Sequence, residues 1–200
     1  TGAVLVRGDA ARLVHGVSTD TRALSEHALY VALRGPNFDG NAFAVQAARS
    51  GAGALILRRE EGLDITAVPE GLPVAVHEAP RRALADLAAW HRSRLGIPVV
   101  AVTGSSGKTT TKNILAQLLA AAGRRVVASP ASFNNDIGVP LTLLTADHET
   151  EVLVVEIGTN APGEIAALAR LARPTVAVIT NVGASHLEGL GSVAGVAREK

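Results

Sequence analysis

Short, wholly apolar runs alternate with longer amphipathic stretches along this chain. Residues 29–33 (LYVAL), 54–57 (ALIL) and 74–76 (VAV) are apolar at every position and predict strands. Residues 42–50 predict a helix stopped by Gly51. Between 80 and 95, Leu84, Leu87, Ala88 and Leu95 are spaced for one buried helical face. Gly96-Ile97-Pro98 then interrupts the pattern and marks the expected boundary between a first unit, 1–96, and a second, 97–200. In the second unit, strands are predicted at 99–102, 125–128, 152–155 and 175–179, with helices at 108–122 and 162–172. Strands without polar alternation, joined by helices, predict the α/β class: a mostly parallel sheet with helices on both faces. Ligands of such sheets sit beyond the carboxyl ends of the strands. Gly104 to Thr109, Glu156 and Thr180 to His186 each follow a strand, so they share one edge.

Composition narrows the picture. The 200 residues suit one or two domains, and an apolar fraction of 48% can fill a real core. Nineteen basic and 18 acidic side chains give a net charge of +1, with no basic stripe, so no nucleic-acid partner is expected. No apolar run approaches the roughly 18 residues of a membrane span and no signal pattern opens the chain, so no membrane insertion is expected. The absence of cysteine excludes disulfides and thiolate metal sites and fits a reducing, cytoplasmic setting. A monomer is expected. The chain also lacks methionine, begins at Thr1 and stops at Lys200 within an expected helix, the pattern of a fragment clipped at both ends.

The candidate chemistry centres on Val102-Thr-Gly104-Ser105-Ser106-Gly107-Lys108-Thr109-Thr110, directly after an apolar strand and before a helix. Strand, glycine loop and helix N-terminus together form a phosphate cradle. Glycines permit the tight turn and the approach of backbone N–H groups to an anion. Lys108 can reach terminal phosphates, and Thr109 can offer its hydroxyl to Mg²⁺. The loop is shorter than the general P-loop: Gly104 lies three residues before Gly107, and Val102 stands where the first glycine is usual. The bland alternative is a Gly/Ser turn with an ordinary helix cap.

Glu156 ends a strand opposite this loop, a place suited to Mg²⁺; otherwise it is a solvated carboxylate. His186 lies in a glycine-bearing loop on the same edge, as a metal or phosphate ligand or as a surface residue. Asn134 and Asn135 stand in a polar, turn-rich stretch, where a ligand role competes with turn capping. In the first unit Ser18, Thr19, Asp20 and Arg22 combine hydroxyls, an acid and a guanidinium, which suit a phosphorylated sugar or an internal Asp–Arg pair. Asp39-Gly40 reads as a turn before a helix.

Taken together, these segments resemble the Mur ligases of peptidoglycan synthesis. The carriers are Ser18-Thr19-Asp20-Thr21-Arg22, residues 30–35 with Phe38-Asp39-Gly40, the Gly104–Thr110 loop, residues 134–142 (NNDIGVPLT), Glu156-Ile157-Gly158 and His186-Leu187-Glu188-Gly189. They follow the family's order over nearly the whole chain, and the shortened loop is normal for the family. One departure is Asn41-Ala42, where the family usually shows His-Asp. The resemblance implies a small N-terminal α/β domain for the UDP-muramoyl peptide (1–96), contacted by Ser18, Thr19, Asp20, Arg22, Asp39 and Gly40. It implies next an ATP-binding domain (97–200), incomplete here, and an absent C-terminal domain. ATP would be held by Gly104, Ser105, Ser106, Gly107, Lys108, Thr109, Thr110, Asn134 and Asn135. Two Mg²⁺ ions would be served by Thr109 and Glu156, and by His186 with a carbamylated Lys200, the lysine of Ala197-Arg198-Glu199-Lys200. Lys108, His186 and Lys200 are the implied catalytic residues. Within the family, the 134–138 run favours the member that joins D-Ala-D-Ala to UDP-N-acetylmuramoyl-tripeptide through an acyl phosphate, with the fragment itself inactive. A sibling ligase adding another amino acid, a folylpolyglutamate-type ligase and a non-catalytic nucleotide-binding module are the competing readings.

Overall fold

The computed structural model describes residues 1–200, which divide into two compact units, Thr1–Asp86 and Leu87–Lys200. The first contains β1 (Val4–Arg7), β2 (Val17–Ser18), β3 (Leu29–Val31), a 3-10 turn at Gly40–Phe43 running into α1 (Ala44–Arg49), β4 (Ala54–Arg58) and β5 (Val74–His77). Its sheet has the order β1-β5-β4-β3-β2, with only β1 antiparallel to its neighbour. The register sets Tyr30 beside Leu55 and Leu55 beside Val74, with Leu57 beside Val76 one step along. Those side chains leave the same face of the pleat and form a core with Ala44 and Ala47 of α1. The strands β1 and β2 are not among those predicted. The first does carry an apolar run, Ala3-Val4-Leu5-Val6, which stays largely exposed, and the second is two residues long.

Helix α2 (Pro80–Arg94) crosses the division between the units. The two compact units thus divide inside this helix, upstream of Gly96-Ile97-Pro98. The reason is packing. Ala88 belongs to the second unit's core, His91 Nε2 pairs with the Ala146 carbonyl at 2.7 Å, and Arg92 reaches further carbonyls of that unit.

The second unit continues with β6 (Val99–Thr103), α3 (Lys108–Ala121), β7 (Val126–Ala128), α4 (Gly138–Leu144), β8 (Val152–Glu156), α5 (Glu164–Ala172), β9 (Val176–Ile179), α6 (Leu187–Leu190) and α7 (Val193–Glu199). Its sheet is parallel throughout, in the order β7-β8-β6-β9. Val99, Ala101, Leu153 and Val155 pack on one face with Val139 and Leu143 of α4 and Ile165 and Leu168 of α5. Val102, Val152 and Val154 pack on the other with Leu115 and Leu119 of α3. Both faces are thus covered, which explains strands without polar alternation. Helix α4 is not announced by the apolar pattern: Gly138 opens it and Pro140 sits in its first turn, where a missing N–H costs nothing because no partner exists there. Gly138 is required: a Cβ would stand 2.6 Å from the Phe133 backbone. Strand β9 is an edge, with Val176 and Ile179 about half exposed. No helix is long and apolar enough to cross a membrane.

Buried Arg92 donates to the carbonyls of Ala172 (2.8 Å), Leu95 (2.7 Å) and Arg173 (3.1 Å), so it closes the carboxyl end of α5. Arg92→Met would leave those acceptors dry. Its expected cost is about 2 to 3 kcal/mol of unfolding free energy, read from urea denaturation.

Candidate functional site

Helix α3 begins at a glycine loop. Gly107 caps it with φ 77° and ψ 0°, a left-handed conformation that a side chain would strain. Gly104 has φ 148°, and a Cβ there would stand 1.9 Å from Thr180 Oγ1. Both glycines are therefore fixed by geometry. The loop leans on the segment after β9: the Ser105 N–H donates to the Asn181 carbonyl and side-chain oxygen, both at 3.1 Å, and the Ser106 N–H donates to that side-chain oxygen at 3.0 Å. Lys108 folds back, its Nζ donating to the Gly104 carbonyl at 2.8 Å. Thr110 is exposed on the first turn of α3.

Opposite the loop, the register pairs Val102 with Glu156. Glu156 is 1% exposed. A carboxylate so buried must be compensated. Thr109 Oγ1 donates to Oε2 at 2.8 Å, Asn134 Nδ2 donates to Oε1 at 2.8 Å, and the Lys112 ammonium lies 4.0 Å from Oε2. Lys112, also 1% exposed, donates to the carbonyls of Ser129 and Ala131, both at 2.7 Å. The structure thus brings Thr109, Asn134 and Glu156 together. Asn135 takes the other reading: its Oδ1 accepts the N–H groups of Ile137 (3.1 Å) and Gly138 (2.9 Å) and starts α4. Sequence reasoning misses Lys112, although it stands three residues after Thr109 and three before Leu115, on the buried stripe of the helix.

His186 is exposed, with φ 52°, and caps α6. It stands within electrostatic reach of Glu164, whose carboxyl is held below its usual range first by the Asn160 N–H and, least, by His186. Lys200 is partly buried. Burial, then the nearby Lys108 charge, lowers its pKa from the ordinary lysine value. Its neighbour Glu199 is engaged elsewhere, accepting the N–H groups of Gly163 (2.7 Å) and Ile165 (2.9 Å). No three His, Asp or Glu side chains converge on a point where they could hold a metal ion.

The residues fit a phosphate anion with a hard cation. Gly104 admits no side chain, Thr103 Oγ1 beneath the loop is buried without a partner, and the facing hydroxyl and carboxylate of Thr109 and Glu156 are oxygen donors of the kind Mg²⁺ takes.

In the first unit a cavity of about 470 Å³ is lined by Thr19, Asp20, Thr21, Arg22, Tyr30, Phe38, Phe43 and Gln46. Asp20 is doubly engaged: it caps the turn at Thr21–Ala23 through the Arg22 N–H and pairs with the Arg22 guanidinium at 2.6 Å, which holds its carboxyl at about 2. Burial raises the Tyr30 hydroxyl to about 12, and that hydroxyl donates to the Gly40 carbonyl. The Ser18 hydroxyl serves its own turn, donating to the Asp20 carbonyl and accepting the Asp20 N–H. Asp39 pairs with Arg58 at 2.6 Å and accepts the Asn41 N–H. Gly40 lies where a Cβ would stand 2.6 Å from the Leu33 backbone. Asp39 and Gly40 therefore shape the turn and do not line the cavity. Asn41, at the family departure, binds the Arg58 backbone on both sides of its amide. Sequence reasoning also misses Phe38, Phe43 and Gln46 as lining. The sequence carries no signal for them: all three phenylalanines of the chain, Phe133 included, are exposed, so exposure does not single out the two at the cavity.

Comparison with known proteins divides the chain between residues 101 and 102, just after Gly96-Ile97-Pro98. Residues 13–101 match the Mur ligase family, catalytic domain, and residues 102–200 match the Mur ligase middle domain. The chain is 45% identical, over 92% of its length, to the UDP-N-acetylmuramoyl-tripeptide–D-alanyl-D-alanine ligase of Escherichia coli (strain K12), and covers 39% of that protein. It is 43% identical, over 94% of its length, to the ligase of the same name from Bacillus subtilis (strain 168), covering 40% of it. The crystal structure of MurF ligase from Thermotoga maritima in complex with ADP superposes with a TM-score of 0.79 at 35% identity, over 96% of this chain and 43% of that one. The chain thus spans about two fifths of the length of the curated relatives it matches. Glycine loop, buried carboxylate and matched length agree: the chain belongs to the Mur ligase family.

Proposed function

We propose that this chain holds the nucleotide and the UDP-muramoyl peptide for an ATP-dependent ligase that joins D-Ala-D-Ala to UDP-N-acetylmuramoyl-tripeptide, in the cytoplasm and as a monomer. The carrying observation is the Thr109–Glu156 contact at 2.8 Å beside the glycine loop. The names of the relatives, and the ADP bound by the Thermotoga maritima ligase, support the same reading. ATP is the phosphoryl donor in it, with the Gly104–Thr110 loop as the cradle and Lys108 as the charge on its terminal phosphates. Asn134 orients Glu156. Thr109 and Glu156 would hold one Mg²⁺, and His186 with a carbamylated Lys200 a second; when bound, the ions offset repulsion between two anions.

The chemistry explains why such a cluster is needed. A carboxylate is a poor electrophile, because oxide is not a leaving group. Transfer of the γ-phosphoryl group to the peptide carboxylate gives an acyl phosphate and ADP. The amine of D-Ala-D-Ala then attacks the acyl carbon, the amide forms, and inorganic phosphate leaves with the bonding electrons of the C–O bond. The protein orients the reactants and neutralises charge. In the first unit, Arg22 and Asp20 offer charge and hydrogen bonds to a nucleotide sugar, and Phe38 and Phe43 offer apolar faces beside them.

The test is phosphate release by a protein of the relatives' full length carrying this chain, supplied with ATP, the UDP-tripeptide and a panel of amino acids beside D-Ala-D-Ala. Release dependent on D-Ala-D-Ala alone is expected; release with another amino acid identifies a sibling ligase, and none with any amine leaves a binding module. In that assay Lys108→Ala is expected to lower kcat/KM about a hundredfold, the scale of one lost electrostatic stabiliser. Lys200→Ala is expected to abolish most activity, with partial recovery on adding a short carboxylate such as acetate. Full activity without it removes the carbamate role.

A further inference from the structure

The glycine loop is not free to choose its shape. Besides the two N–H groups of Ser105 and Ser106 that converge on the Asn181 side-chain oxygen, Asn181 Nδ2 donates to Ser106 Oγ at 2.8 Å. One exposed amide thus accepts two backbone donors and returns one to the same loop. Thr180 Oγ1 adds a bond to the Ser106 carbonyl at 2.6 Å. Ser105 Oγ in turn donates to the Gly183 carbonyl (3.1 Å) and accepts from the Gly183 N–H and from Ser185 Oγ, both at 2.9 Å. The loop and the segment that leads to His186 are cross-linked at every step.

We propose that Asn181 is a positioning residue for the nucleotide cradle, a role that rests on the nucleotide reading above. Its side-chain oxygen stands in for an anion at the start of the loop. That fixes the loop's curvature before ligand arrives and leaves the donors at the start of α3 to face phosphate. A loop already ordered loses less conformational freedom on binding. The same bonds tie the cradle to the segment bearing His186, so nucleotide and His186 share one frame. Asn181 is a side chain of the frame and touches no reacting atom.

The experiment uses the 200-residue chain in two arms. Backbone amide exchange by NMR reports the ligand-free loop, and calorimetry reports ADP affinity in magnesium buffer. In Asn181→Ala, exchange at Ser106 is expected to speed up about tenfold, the scale of one lost hydrogen bond, while Ser105 keeps the backbone carbonyl of residue 181 and changes less. Amides of β6 and the melting temperature should stay as in the wild type, because the removed side chain is exposed. ADP should bind about tenfold more weakly. Asn181→Asp keeps an acceptor for both N–H groups and should keep their exchange slow. Unchanged exchange in Asn181→Ala, equally fast exchange in Asn181→Asp, or unweakened ADP binding by Asn181→Ala each overturns the proposal. Tighter binding does so too, since the amide would then compete with phosphate. A wild-type chain that fails to bind ADP overturns the nucleotide reading as well, whatever the exchange arm shows.

Discussion

Glu156 is a carboxylate with 1% exposure at the end of a parallel strand, and the second unit is arranged around the need to compensate it. An isolated charge in that place would be expensive. The compensation comes from three side chains: Lys112 and Thr109 from α3, and Asn134 from the segment before α4. Lys112 is bound to the backbone at Ser129 and Ala131, so it also holds that segment to the helix. The result is a carboxylate with a fixed direction beside a glycine loop. A side chain able to swing would serve a cation less well, because ligand geometry would have to be ordered at each binding event.

The strand order makes this possible. The connection after β6 passes to α3 on one face, and the one after β8 leads to α5 on the other. The crevice between the carboxyl ends of β6 and β8 is therefore open, the general location of ligands in such sheets. Strand β9 lies on the far side of β6, so the segment after it reaches the glycine loop and braces it. The loop's shape is a property of two chain segments about 75 residues apart in sequence.

The first unit shows a different balance. Several polar residues grouped by the sequence serve the backbone. Asp39 holds Arg58 and a turn, Ser18 closes its own turn, and Gly40 permits a close approach to Leu33. The cavity wall instead combines the Asp20–Arg22 pair with exposed aromatic rings. Short polar side chains satisfy neighbouring backbone groups as readily as ligands, so residue type without position does not separate the two uses.

Residue order alone sufficed for the α/β class, most strands and long helices, the glycine loop and the strand-end place of Glu156. Those depend on local periodicity and on the few residue types that tolerate a tight turn. The two-residue strand β2 and helix α4 escaped it, because their stability comes from neighbours and not from their own pattern. Long-range folding settled which polar groups meet: Lys112 and Asn134 on Glu156, Asn181 on the glycine loop. A hydrogen bond is decided by a few tenths of an ångström in space, and spacing along the chain carries no such information across about 75 residues.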